Sequence, residues 1–328
     1  MKLLVTGGAG FIGSHYVRTV LTGGYPAFHG ASVTVLDKLT YAGNLANLAP
    51  VEGRYDFVQG DVCDGALLAD VVPGHDVVIH FAAESHVDRS IEKAADFVRT
   101  NVLGTQTLMD ACVAAGVRRV VHVSTDEVYG SIETGSWDEG APLAPRSPYA
   151  ASKAGGDLIA RSYAITHGLP VSITRCGNNY GPYQYPEKII PLFITTLIQG
   201  GTVPLYGDGG NVRDWIHVAD HCRGIQRVAE IGRPGEIYHI AGTAELTNLE
   251  LTTRLLEALD LPQDRIRWVA DRKGHDRRYS LDDGKLRNLG YAPEVGFDEG
   301  LAETVQWYKD NPSWWKPSHR DASRRTGR

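Results

Sequence analysis

The chain has 328 residues, of which 42% are hydrophobic and 22% are charged, and 33 basic against 39 acidic residues leave a formal net charge of −6. This composition is typical of a folded globular protein and excludes a chain that is disordered or fibrous as a whole. The mild acidity argues against nucleic acid as a partner, and no apolar run reaches the roughly 20 residues that span a membrane. Four widely separated cysteines without a CxxC pair predict neither a zinc site nor disulfides, so we expect a reduced, cytoplasmic protein.

Short β-branched runs alternate with amphipathic helical stretches through the first half of the chain. The predicted strands are residues 2–6, 32–37, 55–59, 77–81, 119–124 and 171–175, and the predicted helices are residues 11–22, 65–72, 94–115 and 149–167. This alternation predicts an α/β fold with a doubly wound parallel sheet of the Rossmann type. Ligands of such sheets bind at the carboxyl ends of the strands.

The amino-acid composition changes after residue 175. The segment CGNNYGPYQYPEKIIP is rich in Gly, Pro, Asn and Tyr and is interpreted as a functional loop. The elements predicted after it are a helix over 189–199, a strand over 203–206, a helix–strand unit over 218–230 and 236–240, and helices over 248–259 and 299–311. The helix–strand unit can rejoin the sheet. We therefore predict a Rossmann domain of residues 1–175, to which 212–243 return, a smaller mixed α/β lobe of residues 176–318, and a disordered tail of residues 319–328.

Gly7, Gly10 and Gly13 form GxxGxxG between the first predicted strand and the first predicted helix. Glycines at this place let the backbone approach a pyrophosphate, which binds at the positive end of the helix. Asp37 ends the second predicted strand, where a carboxylate accepts hydrogen bonds from an adenosine ribose and repels a 2′-phosphate. The sequence therefore predicts NAD rather than NADP, although the neighbouring Lys38 slightly weakens that exclusion.

Polar side chains also follow the third and fourth predicted strands, at the same edge of the sheet. Asp61 either contacts the adenine of the dinucleotide or caps the next helix, and the sequence leaves both possibilities open. Ser85 and His86 lie in the loop AAESHVDRS and are predicted ligand contacts. His217 and His221 have the spacing of a metal pair, but because no third ligand stands out we predict no metal site.

Tyr149 and Lys153 form a YxxxK motif at the start of a predicted helix, and this spacing places both side chains on one helix face. A nearby ammonium group favours phenolate over phenol, so we expect Lys153 to lower the pKa of Tyr149. The phenolate would accept a proton from an alcohol while hydride leaves for a nicotinamide. A YxxxK pair alone is common on surfaces, but here it accompanies the glycine motif and Ser124-Thr125 at the end of a central strand.

Thr125-Asp126-Glu127 is the most informative run of the sequence. Two adjacent acids at the end of a buried strand are costly to desolvate, which indicates that they are used. The alternative is an ordinary solvated pair in a loop. In a site, two carboxyl groups can divide the chemistry, one being kept neutral as the acid and the other ionised as the base.

A basic run in the second half is a candidate for phosphate binding. Arg272-Lys273-Gly274-His275 and the separate Arg213 are suited to a diphosphate, since arginine makes bidentate contacts with phosphate oxygens. A solvated charge run is the ordinary interpretation of such a stretch. The sequence pattern alone leaves both interpretations open.

Seven segments that follow one another along nearly the whole chain resemble one enzyme family. They are TGGAGFIGSH, HFAAESHVDRS, STDEVYGS, SPYAASKA, RCGNNYGPYQYPEKIIP, LYGDGGNVRDWIHVADH and DRKGHDRRYSLD. Together they are similar to the dTDP-glucose 4,6-dehydratases of the extended short-chain dehydrogenase/reductase superfamily. The Thr-Asp-Glu triplet narrows the resemblance to this family, because related 4-epimerases typically have small residues where Asp126 and Glu127 stand.

The resemblance implies tightly held NAD in the Rossmann domain, dTDP-glucose in the smaller lobe, and a homodimer joined through the helices near 94–115 and 149–167. The implied catalytic residues are Thr125, Asp126, Glu127, Tyr149 and Lys153. The implied cofactor contacts are Gly7, Gly10, Phe11, Ile12, Gly13, Asp37, Lys38, Leu39, Thr40, Asp61, Val62, Phe81, Ala82, Ala83, Ser85, Thr100, Ser124, Tyr149, Lys153 and Asn179. The implied substrate contacts are Ser85, Thr125, Asp126, Glu127, Tyr149, Asn178, Lys188, Ile189, Pro204, Tyr206, Arg213, Asn248, Arg272, His275 and Tyr279.

The resemblance also implies the reaction: oxidation of the sugar at carbon 4, elimination of water across carbons 5 and 6, and return of hydride to carbon 6. Tyr149 would take the proton of the 4-hydroxyl, Glu127 the proton of carbon 5, and Asp126 would protonate the departing 6-hydroxyl. The nearest alternative is a nucleotide-sugar 4-epimerase, which shares the cofactor site and Tyr149. A catalytically silent NAD-binding regulator is the alternative from another class, and the complete set of catalytic residues argues against it.

Overall fold

The structure, a computed structural model, describes residues 1–271 and 274–316. Its strands are β1 (Lys2–Thr6), β2 (Ser32–Asp37), β3 (Asp56–Gln59), β4 (Val77–His80), β5 (Arg119–Thr125), β6 (Val171–Cys176), β7 (Asn178–Tyr180), β8 (Val203–Tyr206), β9 (Val212–His217), β10 (Ile237–Ile240), β11 (Ala244–Thr247) and β12 (Ile266–Val269). Its α-helices are α1 (Phe11–Leu21), α2 (Gly65–Val71), α3 (Val87–Glu92), α4 (Ala94–Val98), α5 (Thr105–Ala115), α6 (Pro148–Thr166), α7 (Ile189–Ile198), α8 (Val218–Ile231), α9 (Asn248–Ala258), α10 (Gly284–Arg287), α11 (Phe297–Asp310) and α12 (Pro312–Trp315).

Seven parallel strands form the central sheet in the order β10-β6-β5-β4-β1-β2-β3. Apolar residues of α1 and α8 cover one face of the sheet, and apolar residues of α2, α5 and α6 cover the other. Every residue of β4 is buried because helices pack on both faces, which explains the uninterrupted apolar run in its sequence. The predicted doubly wound α/β fold is confirmed.

The six predicted strands and the helices α1, α2 and α6 begin and end within one residue of the expected positions. The helix predicted over 94–115 is instead divided into α4 and α5 by a π-helical segment, Arg99–Gly104. Within this segment the buried Asn101 turns inward, donating to the Glu84 carbonyl at 2.9 Å and to the Ser152 hydroxyl at 2.8 Å. Such widened turns are frequent at functional sites, and this one lies beside the loop after β4.

The second lobe contains a three-stranded sheet, β11-β9-β7, and a two-stranded sheet, β12-β8. The interpretation of 176–191 as loop alone was wrong for β7, because Tyr180 is fully buried against Trp215 and Phe297. Of the segment 212–243, α8 and β10 return to the central sheet, whereas β9 stays in the smaller one. The predicted tail, 319–328, lies outside the described residues. No helix in the described part of the chain is long and apolar enough to cross a membrane.

A buried ionic network stabilises the packing of α6 on the central sheet. Asp157 of α6 accepts a hydrogen bond from Arg175 Nε at 2.9 Å, and its other oxygen lies 3.3 Å from His122 Nε2. Arg175 also donates to the Tyr129 hydroxyl, which hydrogen-bonds His239 at 2.6 Å. Burial alone would raise the pKa of Asp157, but His122 and Arg175 together hold this pKa below its usual value.

Replacing Asp157 with asparagine should destabilise the fold because it leaves the buried Arg175 without its counter-ion. We expect the free energy of unfolding to fall by about 3–5 kcal/mol in urea denaturation at neutral pH. A depressed folded-state pKa stabilises the protein above the unfolded pKa of about 4, so the difference should shrink as the pH falls through the folded value. Glu236→Gln is the matched control: it breaks a surface pair with Lys285 and should cost under about 1 kcal/mol. An equal loss in the two variants would contradict this role for Asp157.

Candidate active site

The glycine loop fits the chain closely against the end of β4. Gly7 has a φ of +69°, and a Cβ at this position would lie 2.6 Å from the backbone nitrogen of Ala82. A Cβ at Gly13 would lie 2.4 Å from the carbonyl oxygen of Gly7. Gly10 precedes α1 without a side chain that could cap it. The first N–H groups of α1 therefore have no side-chain cap, which is the arrangement that can hold a dinucleotide pyrophosphate.

Asp37 ends β2 beside this loop, and its carboxylate accepts the N–H of Ala9 at 3.0 Å and that of Leu39 at 2.8 Å. Burial raises the pKa of Asp37 despite these two donors. The ammonium group of Lys38 lies 2.7 Å from Asp61, so its charge is directed to that carboxylate and not to Asp37. The expected weakening of NADP exclusion by Lys38 is therefore not supported by its position.

The two possible roles of Asp61 can now be separated. Asp64, not Asp61, caps α2 by accepting the N–H of Leu67 at 3.1 Å. Asp61 accepts the N–H of Cys63 at 3.0 Å. Burial would raise the pKa of Asp61, but its pairing with Lys38 and the Cys63 N–H lower it below the usual value. The capping alternative was wrong, and the contact with adenine stays a prediction.

The other residues predicted to contact the cofactor lie around the same edge of the sheet. Those that follow strands or start helices there are Phe11, Ile12, Leu39, Thr40, Val62, Phe81, Ala82, Ala83 and Ser85. Ser124 lies within β5, next to its last residue. Thr100 lies in the π-helical segment. Asn179 is engaged within the protein, since its Oδ1 lies 2.8 Å from His221 Nδ1 and its Nδ2 donates to the Gly177 carbonyl. His86 caps α3 by accepting the N–H of Arg89.

Tyr149 and Lys153 are both buried in the first turns of α6, beside the end of β5. The Lys153 ammonium donates to the Val123 carbonyl at 2.7 Å. Burial lowers the pKa of Lys153, while Asp157, one turn further along α6, acts against that fall. The fall in the pKa of Tyr149 that we expected beside Lys153 is not the net result for the chain by itself. Burial and the nearby Glu127 raise this pKa well above its usual value, although a hydrogen bond with Thr125 opposes the rise.

The two acids occupy a short 3₁₀ turn that Thr125 caps by accepting the N–H of Glu127. Asp126 is 2% exposed, and its Oδ1 accepts the Thr125 hydroxyl at 3.1 Å. Its Oδ2 is buried and has no hydrogen-bond partner among the described residues. Burial raises the pKa of Asp126 well above its usual value, and Glu127 and Asp214 raise it further. Asp126 is therefore suited to be the neutral acid of the pair, which is the role that the family resemblance implies for it.

The buried Arg213 lies at the junction of the site and the second lobe. Its guanidinium packs 4.2 Å from the centre of the Tyr279 ring and donates to the backbone carbonyl of Asp276 at 3.0 Å. The Tyr279 hydroxyl donates to the Asp276 carboxylate at 2.7 Å. Asn178 is close by in β7, where its Oδ1 is buried without a hydrogen-bond partner in the described part of the chain.

The remaining residues predicted to contact substrate lie on three segments of the second lobe. Lys188, next to Ile189 at the start of α7, donates to the Ser85 carbonyl and so connects the two lobes. Pro204 and Tyr206 belong to β8, and the Tyr206 ring contacts the ring of His275, which pairs with Asp271 at 2.6 Å. Asn248 begins α9 and donates its backbone N–H to the Asn211 carbonyl at 2.9 Å. Arg272 lies outside the described residues.

Sequence reasoning missed Asp214, which lies in β9 beside the acids. Its carboxylate accepts the N–H of Gly242 at 2.7 Å. Burial raises its pKa to about 7, with Glu245 and Asp283 adding to the rise. Nothing in its surroundings in the sequence distinguished it, because only the fold brings β9 next to the end of β5. Among the described residues, no cluster of three or more His, Cys, Asp or Glu could hold a metal ion.

Fold and site together define a class of protein: a dinucleotide-binding enzyme of the short-chain dehydrogenase/reductase type, with a glycine loop before α1 and a buried YxxxK pair beside β5. The sequence profile described as GDP-mannose 4,6 dehydratase matches residues 4–304. The chain belongs to this family.

Known relatives agree with the sequence resemblance. The dTDP-glucose 4,6-dehydratases of Streptomyces niveus and Streptomyces antibioticus are each 59% identical to this chain, over 97% of its length and 95% of theirs. A crystal structure of a dTDP-glucose 4,6-dehydratase from Streptomyces venezuelae, with NAD bound, is similar at a TM-score of 0.95 and 64% identity, over 97% of this chain and 99% of that one. A UDP-glucose 4-epimerase from Thermotoga maritima has a TM-score of 0.88 at 29% identity, over 95% and 100%. The resemblance to dTDP-glucose 4,6-dehydratases is confirmed.

The position of Asp37 predicts the identity of the cofactor. We expect the purified protein to release NAD on denaturation, identified by chromatography, and NADP not to replace it, because a 2′-phosphate would meet the Asp37 carboxylate. Lys38→Met should leave this preference unchanged, since Asp61 already holds the Lys38 ammonium. Recovery of mainly NADP from the wild type would refute the role given to Asp37.

Proposed function

We propose that this chain is an NAD-dependent dTDP-glucose 4,6-dehydratase, which converts dTDP-glucose into dTDP-4-keto-6-deoxy-glucose and water. The observation that carries the proposal is the pair of acids after β5, with Asp126 buried and Glu127 partly exposed. Elimination of water needs an acid and a base that act at neighbouring carbons of the sugar, and this pair of side chains supplies both. Relatives with this name at 59% identity support the choice of substrate.

The residues around the glycine loop fit NAD, because a side chain at Gly7 or Gly13 would collide with backbone and α1 presents its uncapped first turn. When bound, NAD supplies a hydride acceptor for carbon 4 and later a hydride donor for carbon 6. Burial in the chain itself disfavours the phenolate form of Tyr149, and a positive charge bound beside the hydroxyl would favour it.

In the first step Tyr149 takes the proton of the sugar 4-hydroxyl. The contact of Thr125 with the Tyr149 hydroxyl opposes the high pKa of Tyr149. The Thr125 hydroxyl has one proton, so it would have to turn from Asp126 Oδ1 to Tyr149 to stabilise the phenolate that this step needs. Lys153 adds a buried positive charge on the same face of α6, held in place by the Val123 carbonyl. The backbone N–H of Tyr149 donates to the Ser90 hydroxyl at 3.1 Å, which fixes the start of α6 against α3.

In the second step the new ketone acidifies carbon 5, and Glu127 removes that proton. Asp126 then donates a proton to the 6-hydroxyl, which leaves as water. Once carbon 6 has received the hydride, carbon 5 takes up a proton, which gives the 4-keto-6-deoxy sugar. Asp126 is kept neutral because its Oδ2 is buried without a hydrogen-bond donor among the described residues, and because the nearby carboxyl groups of Glu127 and Asp214 disfavour a further negative charge. Because one acid is buried and the other partly exposed, their environments separate the two roles.

Substrate recognition is assigned to the second lobe. Arg213, held by the Tyr279 ring and the Asp276 carbonyl, is a preorganised cation for the diphosphate, and Asn178 offers its unpartnered Oδ1 or its amide N–H groups nearby. We assign the thymine to the segment 204–206 of β8. Lys188 would close the site from the side of α7, since it already contacts the loop at Ser85.

The acids distinguish this function from 4-epimerisation, in which the 6-hydroxyl stays intact. Incubation with dTDP-glucose should yield a product with the absorbance of a 4-keto sugar in alkali. A product that keeps its 6-hydroxyl and lacks this absorbance would identify an epimerase instead. Absence of any turnover by the NAD-loaded protein would favour the silent regulator.

Substitutions should separate oxidation from elimination. Glu127→Gln keeps the size of the side chain but removes the base, so we expect product formation to fall about 10²- to 10⁴-fold. Oxidation at carbon 4 should survive, and reduced cofactor should accumulate on the protein, visible by absorbance. Tyr149→Phe should instead slow the oxidation itself. Asp126→Asn should impair water loss more than exchange at carbon 5.

Solvent deuterium incorporation at carbon 5 measures the base step directly. The wild type should incorporate deuterium, and Glu127→Gln should incorporate it far more slowly. Deuterium exchange at the wild-type rate in Glu127→Gln would show that Glu127 is not the base at carbon 5, whatever the overall rate of product formation. Loss of oxidation in Glu127→Gln would show that Glu127 acts earlier than we propose.

We also propose that the chain forms a homodimer through the helices of residues 94–115 and through α6. Val98, Leu158 and Ile165 are 53%, 57% and 73% exposed although all are large and apolar. Leu158 and Ile165 lie two turns apart and share one face of α6. An exposed apolar face on helices that also carry Tyr149 suits a subunit interface. We place the enzyme in the cytoplasm, which is supported by its four unpaired cysteines.

The dimer proposal predicts the effect of charge on this face. Combined Leu158→Glu and Ile165→Glu should halve the mass measured by light scattering after size exclusion, because two carboxylates would have to be desolvated on association. Trp268→Glu is the matched control, since Trp268 is 54% exposed on β12, away from these helices. A wild type that is monomeric at micromolar concentration would contradict the proposal.

A further inference from the structure

The Ala9 peptide, in the middle of the glycine loop, is held by hydrogen bonds on both sides. Its N–H donates to Asp37 at 3.0 Å. Its carbonyl accepts two hydrogen bonds, from the Asn44 backbone N–H at 3.0 Å and from Asn47 Nδ2 at 2.9 Å. Ala9 and Asn47 are both buried. The shape of the loop that meets the pyrophosphate is therefore fixed partly by the Asn47 side chain.

Asn47 is in turn bonded to the far end of the chain. Its Oδ1 accepts the indole N–H of Trp314 at 3.0 Å, and Trp314 belongs to α12 of the second lobe. The Asn47 carboxamide therefore makes a hydrogen bond at each end: its nitrogen donates to the Ala9 carbonyl, and its oxygen accepts from the Trp314 indole. We call the connected residues Ala9, Asn47 and Trp314 the latch.

Aromatic packing fixes the position of the Trp314 ring. Its centre lies 5.0 Å from that of Trp307 and 5.9 Å from that of Tyr183. Tyr183 has a φ of +68°, a backbone conformation that costs energy for a side chain of this size. The guanidinium of Arg18 packs 4.2 Å from the centre of the Tyr183 ring and also donates to the Asn47 backbone carbonyl. Two contacts from one cluster therefore converge on Asn47.

We propose that the latch makes Trp314 a positioning residue for the cofactor, so that docking of α12 on Asn47 holds the glycine loop in the shape described above and slows the release of NAD. The inference rests on the proposed function for the identity of the cofactor. A loop that moves away from the start of α1 would loosen its hold on the pyrophosphate. Movement at Ala9 pulls on Asn47, whose oxygen is held by a rigidly packed indole. By linkage, bound NAD in turn stabilises the docking of α12.

The variant that tests the latch is Trp314→Phe, which keeps an aromatic ring beside Trp307 and removes the indole N–H. Loss of one donor to a buried acceptor should speed NAD dissociation about 3- to 10-fold, measured by chasing the loaded protein with labelled NAD. Amide hydrogen exchange at Ala9 should accelerate as well. Trp315→Phe is the matched control: the Trp315 indole N–H donates to the Tyr308 carbonyl at 2.8 Å, within the second lobe. It should leave both measurements unchanged.

A double-mutant cycle distinguishes the latch from a general loosening of the fold. In an Asn47→Ala background, Trp314→Phe should add little, because its hydrogen-bond partner is already gone, whereas independent effects would add. Dissociation from Trp314→Phe at the wild-type rate, or equal acceleration in Trp315→Phe, would overturn the proposal. If the wild type binds no NAD, the proposed function fails. Exchange at Ala9 in Trp314→Phe still tests the latch in that case, and also if Asn47→Ala does not fold.

Discussion

Desolvation of the carboxyl group of Asp126 is the constraint on which the chemistry of the site depends. An isolated charged carboxylate in that position would be very unfavourable, so the group is held neutral by burial and by the carboxylates of Glu127 and Asp214. The cost is local, because only one oxygen of Asp126 lacks a hydrogen bond among the described residues, and Thr125 satisfies the other. The neutral Asp126 is next to Glu127, whose carboxylate is more exposed. Elimination of water requires this difference, with one group protonated and the other ionised.

Around this centre, buried polar groups connect the site to the rest of the fold. Asp157 links the sheet to α6 through Arg175 and His122, and it also supports the charge on Lys153. On the opposite side, Asn47 connects the glycine loop to α12. Asp157 and Asn47 each form hydrogen bonds or ion pairs with two separate parts of the fold. The geometry of the catalytic groups therefore depends on the same contacts that stabilise the packing.

Much of this arrangement followed from the sequence because it is local. The strand periods, the glycines between β1 and α1, and the acids after β5 are each adjacent along the chain. The full set of cofactor and substrate contacts, in contrast, was expected from the family resemblance. What the sequence did not reveal depends on distant contacts. Asp214 reaches the acids only because β9 pairs with β7, and Trp314 reaches Asn47 across 267 positions. The pKa of Tyr149 was misjudged because the YxxxK spacing shows the ammonium but not the burial or the position of Glu127. β7 was missed because a loop-like composition concealed the fully buried Tyr180.

The protonation state of Asp126 tests the central claim most directly. Infrared difference spectra at neutral pH, wild type minus Asp126→Asn, isolate the carboxyl group of this residue from all others. We expect the carbonyl stretch of a protonated carboxylic acid in the wild type, and its loss in the variant. A difference spectrum that shows only a carboxylate band would mean that Asp126 is ionised, and the assignment of acid and base would be contradicted.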